Sequence, residues 1–262
     1  MDSLDPENPP VTIVPAQHHP RIWKFWGTLL WGLVGVAAML LGQIAVVVIF
    51  YIFALLQGEP VSFGDAIKAI ASNGLALSLS VIASLPTTLA ALWFAIRRTA
   101  TPFADYLALR WPSWKDAVIG VVGLVVLVLG WELLSRVTGH EASADFMVDV
   151  MKSAQRDGVL WLMILGFSVA APATEELLAR GFLYRGWSES FLKVPGAIAL
   201  SSLVWTALHL QYYDWFLFSE VFSLGLWFGY LRYRSQSIWL TIVLHGLNNF
   251  GAVAQSVYLA GH

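Results

Sequence analysis

The sequence predicts an all-α fold, a polytopic bundle of transmembrane helices with about seven spans. Three observations predict it. The 262 residues are 58% hydrophobic and only 12% charged, whereas a soluble domain carries roughly a quarter charged residues. Several apolar runs are long enough to cross a hydrocarbon core about 30 Å thick. Many of the 13 tryptophans lie near the ends of those runs, as they do in the aromatic belts of membrane proteins.

The same composition excludes several kinds of protein. The chain has no cysteine, which removes disulfide frameworks, thiolate nucleophiles and cysteine-ligated metal sites. Its formal net charge of -2 shows no basic excess of the kind that binds nucleic acid. The expected surroundings are therefore the lipid bilayer, with no nucleic-acid partner. Any metal would have to be held by histidine and carboxylate.

The first part of the chain is predicted to contain a tail and three spans. Residues 1–20 are rich in proline, show no hydrophobic periodicity and are predicted to be a disordered N-terminal tail. Residues 21–158 are predicted to be the N-terminal transmembrane helices, with spans near 26–56, 74–96 and 117–134. The segments between and after them are interpreted as polar loops, at 57–72, 97–116 and 135–157.

The last part of the chain, residues 159–262, is predicted to contain four spans. The fourth span starts near Val159 and runs into Glu175 and Glu176. Residues 182–192 mix apolar and charged side chains, which predicts a helix lying at the membrane interface. The remaining spans are predicted near 195–209, 215–231 and 238–259. Because residues 195–234 must hold two crossings, eight spans is the alternative count.

The orientation follows from the basic residues. Lysine and arginine cluster in the segments after spans two, four and six, and the other loops are acidic or mixed in charge. Basic loops lie on the cytoplasmic side of a membrane. The amino terminus is therefore predicted to be cytoplasmic.

Two details of the spans have structural interpretations. Gly225 and Gly229 form a G-x-x-x-G pattern in span six, which lets a neighbouring helix approach closely. We interpret it as packing within the chain. Glu132, near the end of span three, is interpreted as a snorkelling or ion-paired residue at a helix end.

Ionisable residues inside the apolar runs predict a functional site, because a charged side chain at membrane depth costs a few kcal/mol. Span four carries Glu175, Glu176 and Arg180, span five ends at His209, and span seven carries His245. At about 1.5 Å per helical residue, the three spans could place these groups at neighbouring depths.

Spacing within the helices suggests separate roles. Glu176 and Arg180 are four residues apart and share a helix face, which predicts an ion pair. Glu175 points about 100° away and is free to face a cavity. His245 and Asn249 are also four apart, and two donors on one face suit an oxyanion. A buried ion pair and an Asn249 hydrogen bond between helices are the structural alternatives.

The sequence allows two interpretations of whether the site uses a metal. Glu175, His209 and His245 could supply the three ligands of an open zinc site, so a divalent metal such as zinc is one alternative. The chain contains no H-E-x-x-H pattern. The pairing of His245 with Asn249 favours a metal-free site.

These residues resemble three motifs of a known family. Glu-Glu-x-x-x-Arg at 175–180, an aromatic-x-x-x-His at Trp205 and His209, and His-x-x-x-Asn at 245–249 are similar to those of the CPBP intramembrane proteases. This family includes the type II CAAX prenyl endopeptidases and the bacterial "abortive infection" membrane proteins. The second motif usually begins with phenylalanine, and the change to tryptophan is expected to matter little.

The resemblance implies an activity. It implies a catalytic core in the last four spans, residues 159–262, that hydrolyses peptide bonds and opens to the cytoplasmic side. Glu175 with His209 would activate water, His245 with Asn249 would form the oxyanion site, and Glu176 with Arg180 would support them. The implied location is a bacterial inner membrane, and the implied partner is a peptide or membrane-protein substrate.

Two alternatives belong to other classes of protein. One is a non-enzymatic membrane scaffold or immunity-type protein that uses the same motifs for packing. The other is a proton- or ion-coupled transporter, because buried glutamate and histidine also relay protons. A transporter often has repeated halves, whereas here the charged residues within the spans fall in one half of the chain.

Overall fold

The structure is a computed structural model that describes residues 22–58, 62–140, 145–209 and 214–260. These residues form helices joined by turns and contain no strand, which confirms the all-α prediction. The predicted tail, residues 1–20, lies outside them. In chain order the helices are α1 (Phe25–Leu56), α2 (Phe63–Ala71), α3 (Gly74–Arg97), α4 (Phe103–Leu107), α5 (Trp114–Thr138), α6 (Asp145–Arg156), α7 (Leu160–Ser188), α8 (Lys193–Ala207), α9 (Trp215–Ser235) and α10 (Ile238–Ala260).

Four of the described helices are long and apolar enough to cross a membrane, namely α1, α3, α5 and α7. They make the chain a multi-pass membrane protein. Helices α9 and α10 have 21 and 23 residues, but α8 has only 15. Since about 20 residues span a bilayer, the count of about seven spans stays a prediction.

Helix α7 is the central element of the bundle. In its most apolar 18-residue window 56% of the residues are buried within the protein, compared with 17% for α1 and 11% for α5. The outer helices α1 and α5 instead expose leucine, isoleucine and valine side chains along their lengths, as helices in contact with lipid do. A charged residue on α7 is therefore shielded from lipid by neighbouring helices.

The predicted interfacial helix at residues 182–192 is wrong. Helix α7 continues without a break to Ser188, and Phe182 and Trp187 are 0% and 1% exposed. A Cβ on Gly186 would lie 1.8 Å from the Thr28 hydroxyl oxygen, so the absence of a side chain there lets α1 and α7 touch. Most apolar residues of this segment face the protein core, whereas Phe191 is 71% exposed.

All three predicted polar loops also contain helices, and the one at 97–116 holds α4. Helix α2 lies within 57–72, and α6 lies within 135–157. Val150 and Met151 of α6 are fully buried, whereas its charged Lys152 and Arg156 are exposed. The Ser153 hydroxyl accepts a 3.2 Å hydrogen bond from the Gly74 amide at the start of α3. An amphipathic pattern thus places α6 across this end of the bundle.

The opposite end of the bundle gathers the basic segments. The Ile238 amide donates to the Ala108 carbonyl, which joins α10 to the loop after α4, and Arg234 forms a 3.0 Å ion pair with Asp116 at the start of α5. Tyr106, in the segment between α3 and α5, is completely buried, and this burial raises the pKa of its phenol. The segments predicted to be cytoplasmic therefore lie at one common end.

The packing role predicted for Gly225 and Gly229 and the ion pair predicted for Glu132 are both confirmed. A Cβ on Gly225 would lie 3.0 Å from the Ser202 side chain, and one on Gly229 would lie 2.8 Å from Ile198. The two glycines thus allow α9 to pack closely on α8. Glu132 forms a 2.7 Å ion pair with Arg136, and both side chains are largely exposed.

Candidate active site

The contact between α7 and α10 is built from the backbone of α7. Helix α7 has a π-helical turn at Gly166–Ala170, in which the Ala171 amide donates to the Gly166 carbonyl five residues earlier. Pro172 has no amide hydrogen, so no donor from that position reaches the carbonyls of Phe167 or Ser168. Asn249 Nδ2 donates to the Phe167 carbonyl oxygen at 3.0 Å.

Gly246 brings the two helices together at the same place. A Cβ on this residue would lie 2.5 Å from the Ser168 carbonyl oxygen, so only glycine permits this approach without a shift. The close contact places His245, one residue earlier, against the second half of α7. π-Helical turns are frequent at functional sites, and here the turn exposes a carbonyl to a neighbouring helix.

Glu176 and Arg180 form a buried ion pair, as their spacing predicted. Both side chains are 0% exposed, and Arg180 Nη1 lies 2.7 Å from Glu176 Oε1. Arg180 Nη2 also donates to the Gly225 carbonyl of α9 at 3.1 Å. His245 Nδ1 lies 3.1 Å from the same Glu176 oxygen. The pair therefore connects α7 to α9 and α10.

Glu175 lies at the centre of a cluster drawn from three segments. Its Oε2 atom lies 3.9 Å from His245 Nε2 and 4.0 Å from His209 Nε2. The same atom accepts a 2.6 Å hydrogen bond from Trp205 Nε1. The Glu175 and His209 side chains keep 19% and 17% of their surface exposed. The carboxylate and the two imidazoles thus surround a partly open space.

The hydrogen bonds of the two imidazoles determine which ring nitrogen faces Glu175. His209 Nδ1 lies 3.0 Å from the Trp205 carbonyl oxygen, and a carbonyl only accepts, so Nδ1 carries the proton. His245 Nδ1 faces the Glu176 carboxylate in the same way. In each ring the Nε2 atom is left to face Glu175, as an acceptor when the ring is neutral and as a donor when it is protonated.

Asn249 is the one predicted site residue that the structure does not place against the Glu175 cluster. Among the described residues, its side-chain hydrogen bond is the one to the Phe167 carbonyl. The structural alternative, an amide that joins two helices, is therefore present in the structure. A primary amide has two N–H groups, so one remains for another acceptor.

Trp205 is the residue whose role the sequence analysis missed. The exchange of phenylalanine for tryptophan was expected to matter little, but the indole N–H makes a hydrogen bond to Glu175 that phenylalanine cannot make. Trp205 also lies 4.4 Å from the Arg180 guanidinium carbon. The signal in the sequence was the spacing, since Trp205 precedes His209 by one helical turn.

The three candidate metal ligands lie farther apart than the ligands of a bound zinc ion. Ligand atoms at about 2.0–2.2 Å from a tetrahedral ion lie about 3.3–3.6 Å apart, whereas Glu175 Oε2 lies 3.9 and 4.0 Å from the two Nε2 atoms. Within the described ranges, no group of three or more His, Cys, Asp or Glu side chains has the arrangement of a metal site.

The fold and the cluster define a class of protein: a polytopic helical membrane protein with a carboxylate and two imidazoles inside the bundle. Residues 157–251 match the family model described as type II CAAX prenyl endopeptidase Rce1-like. Residues 157–251 thus form an Rce1-like domain, as the motifs within them indicated. The match covers about a third of the chain and includes all six predicted site residues. Searches of curated proteins and of solved structures found no significant match.

Proposed function

We propose that this protein is an intramembrane endopeptidase that hydrolyses a peptide bond with activated water and without a covalent intermediate. The observation that carries the proposal is the position of Glu175 Oε2, 3.9 and 4.0 Å from two imidazole nitrogens. Polar atoms at that separation are too far apart for a direct hydrogen bond and are commonly bridged by water. The match of residues 157–251 to the Rce1-like prenyl endopeptidase family model supports this use of the space.

The proposed reaction begins with a water between Glu175 and His209. The carboxylate takes a proton from the water as the water oxygen forms a bond to the peptide carbonyl carbon. The π electrons of the carbonyl move to its oxygen, which becomes an oxyanion. The oxyanion then re-forms the C=O bond as the C–N bond breaks, and the proton held by Glu175 passes to the leaving nitrogen, which gives a carboxylic acid and an amine. Each step uses groups of this chain and water.

His245 and Asn249 are the proposed oxyanion donors. When His245 is protonated its Nε2 atom carries a hydrogen on the side of Glu175, while Nδ1 stays bonded to Glu176 at 3.1 Å. Asn249 would contribute the N–H that does not bond Phe167. Preorganised donors of this kind are among the largest contributors to rate in acyl transfer. Glu176 and Arg180 are proposed to support the site by holding His245.

The proposed arrangement in the membrane follows the sequence. The chain would cross the bilayer about seven times, with residues 159–262 as the catalytic core and the site open to the cytoplasm. The clustering of basic segments at one end of the bundle supports a cytoplasmic amino terminus, and the proposed membrane is a bacterial inner membrane. The substrate would be a peptide or a membrane protein.

The test is cleavage of a peptide library by purified protein in detergent or liposomes. Glu175→Ala and His245→Ala are each expected to lower the rate at least about 100-fold, because each removes a group proposed to act on the reacting atoms. Glu189→Ala is the matched control, since Glu189 lies in the same matched domain but is half-exposed and paired with Arg185. Cleavage at the wild-type rate by Glu175→Ala would contradict the proposed role of Glu175, and no cleavage by the wild-type protein would favour a non-enzymatic scaffold.

A further inference from the structure

Trp205 contacts every side chain of the Glu175 cluster. Its indole N–H donates to Glu175 Oε2 at 2.6 Å. Its ring meets the rings of His209 and His245 edge to face, with centroids 5.1 and 5.2 Å apart. The Arg180 guanidinium carbon lies 4.4 Å from the ring centroid. The residue is only 3% exposed, so these contacts hold the indole in one orientation.

The two neighbouring glutamates are held in different ways. Glu176 is fixed by Arg180 and His245 and is completely buried. For Glu175, Trp205 supplies the one hydrogen bond found among the described residues. A glutamate side chain turns about three bonds, and the 2.6 Å contact is short, as in hydrogen bonds to a charged acceptor. The orientation of the Glu175 carboxylate therefore depends on one indole N–H.

We propose that Trp205 is a positioning residue whose indole N–H aims Oε2 of Glu175 into the space between the two imidazoles. This inference rests on the proposed function of Glu175. Phenylalanine would keep the ring contacts and lose the donor. The tryptophan that replaces the usual phenylalanine at position 205 thus supplies the hydrogen bond that holds the Glu175 carboxylate.

The test compares Trp205→Phe with Trp187→Phe in the purified full-length protein. Trp187 is also buried, at 1% exposed, and its indole N–H donates to the Phe25 carbonyl at 3.3 Å, away from the cluster. Each variant loses one indole hydrogen bond, so both should lower the melting temperature to a similar small extent. Trp205→Phe is expected to lower kcat about 10- to 100-fold with KM within about twofold, as the loss of a charge-assisted hydrogen bond predicts. Trp187→Phe should leave both constants within about twofold of wild type.

Two results would overturn the inference. One is a kcat for Trp205→Phe equal to that of Trp187→Phe. The other is a fall in kcat accompanied by a drop in melting temperature far larger than that of Trp187→Phe, which would show that Trp205 acts only through packing. Failure of the proposed function has a different signature, since the wild-type protein would then cleave no peptide, or Glu175→Ala would cleave as fast as wild type.

Discussion

The buried pair of Glu176 and Arg180 gives the sharpest stability prediction. Replacing Arg180 by methionine keeps most of the side-chain length but removes the 2.7 Å contact to Glu176 and the 3.1 Å hydrogen bond to the Gly225 carbonyl. Glu176 then stays in a site with 0% exposure, where it keeps its contact with His245 and a side-chain hydrogen bond with Thr241. A carboxylate stranded in this way typically costs about 3–5 kcal/mol.

The expected loss can be measured as a melting temperature in detergent. For a chain of this size, about 3–5 kcal/mol corresponds to a fall of roughly 6–20 °C. Arg136→Met is the matched control, because the Arg136–Glu132 pair has the same 2.7 Å separation and the same i,i+4 spacing but is largely exposed. Such surface pairs contribute about 0.2–1 kcal/mol. Combining Arg180→Met with Glu176→Gln should recover part of the loss, since the stranded charge is gone. Equal shifts for Arg180→Met and Arg136→Met would refute this reasoning.

The remaining predictions concern the helix contact and the metal. Gly246→Ala should destabilise the protein by about 1–3 kcal/mol, because its Cβ would lie 2.5 Å from the Ser168 carbonyl oxygen. Gly251→Ala on the same helix, with no neighbour within 4 Å of its Cβ, should be neutral or stabilise by up to about 1 kcal/mol in a thermal unfolding assay; similar losses in both variants would contradict the proposed contact. A strong zinc chelator should leave the rate of peptide cleavage unchanged, because the carboxylate and imidazole spacings do not fit zinc. Loss of cleavage that added zinc restores would overturn that expectation.

The sequence by itself determined the class of fold and much of the site. Long apolar runs with few charges can only be stable as helices in lipid, so the main spans and the all-α class follow from composition and periodicity. The pairing of Glu176 with Arg180 follows from the rise and turn of a helix, which put residues four apart on one face. Glu175, His209 and His245 could be predicted to be neighbours because ionisable residues are rare within the spans and these three lie at comparable depths.

Only the tertiary structure decided which partner each polar group meets. That residues 182–188 continue α7 depends on Gly186 meeting Thr28 of α1, a contact between distant parts of the chain. The hydrogen bond of Asn249 to the Phe167 carbonyl depends on a π-helical turn and on Pro172. The donation from Trp205 to Glu175 depends on how α8 packs on α7. Periodicity places a side chain on a face of its own helix, but the angles and distances between helices arise from packing, which no local pattern contains.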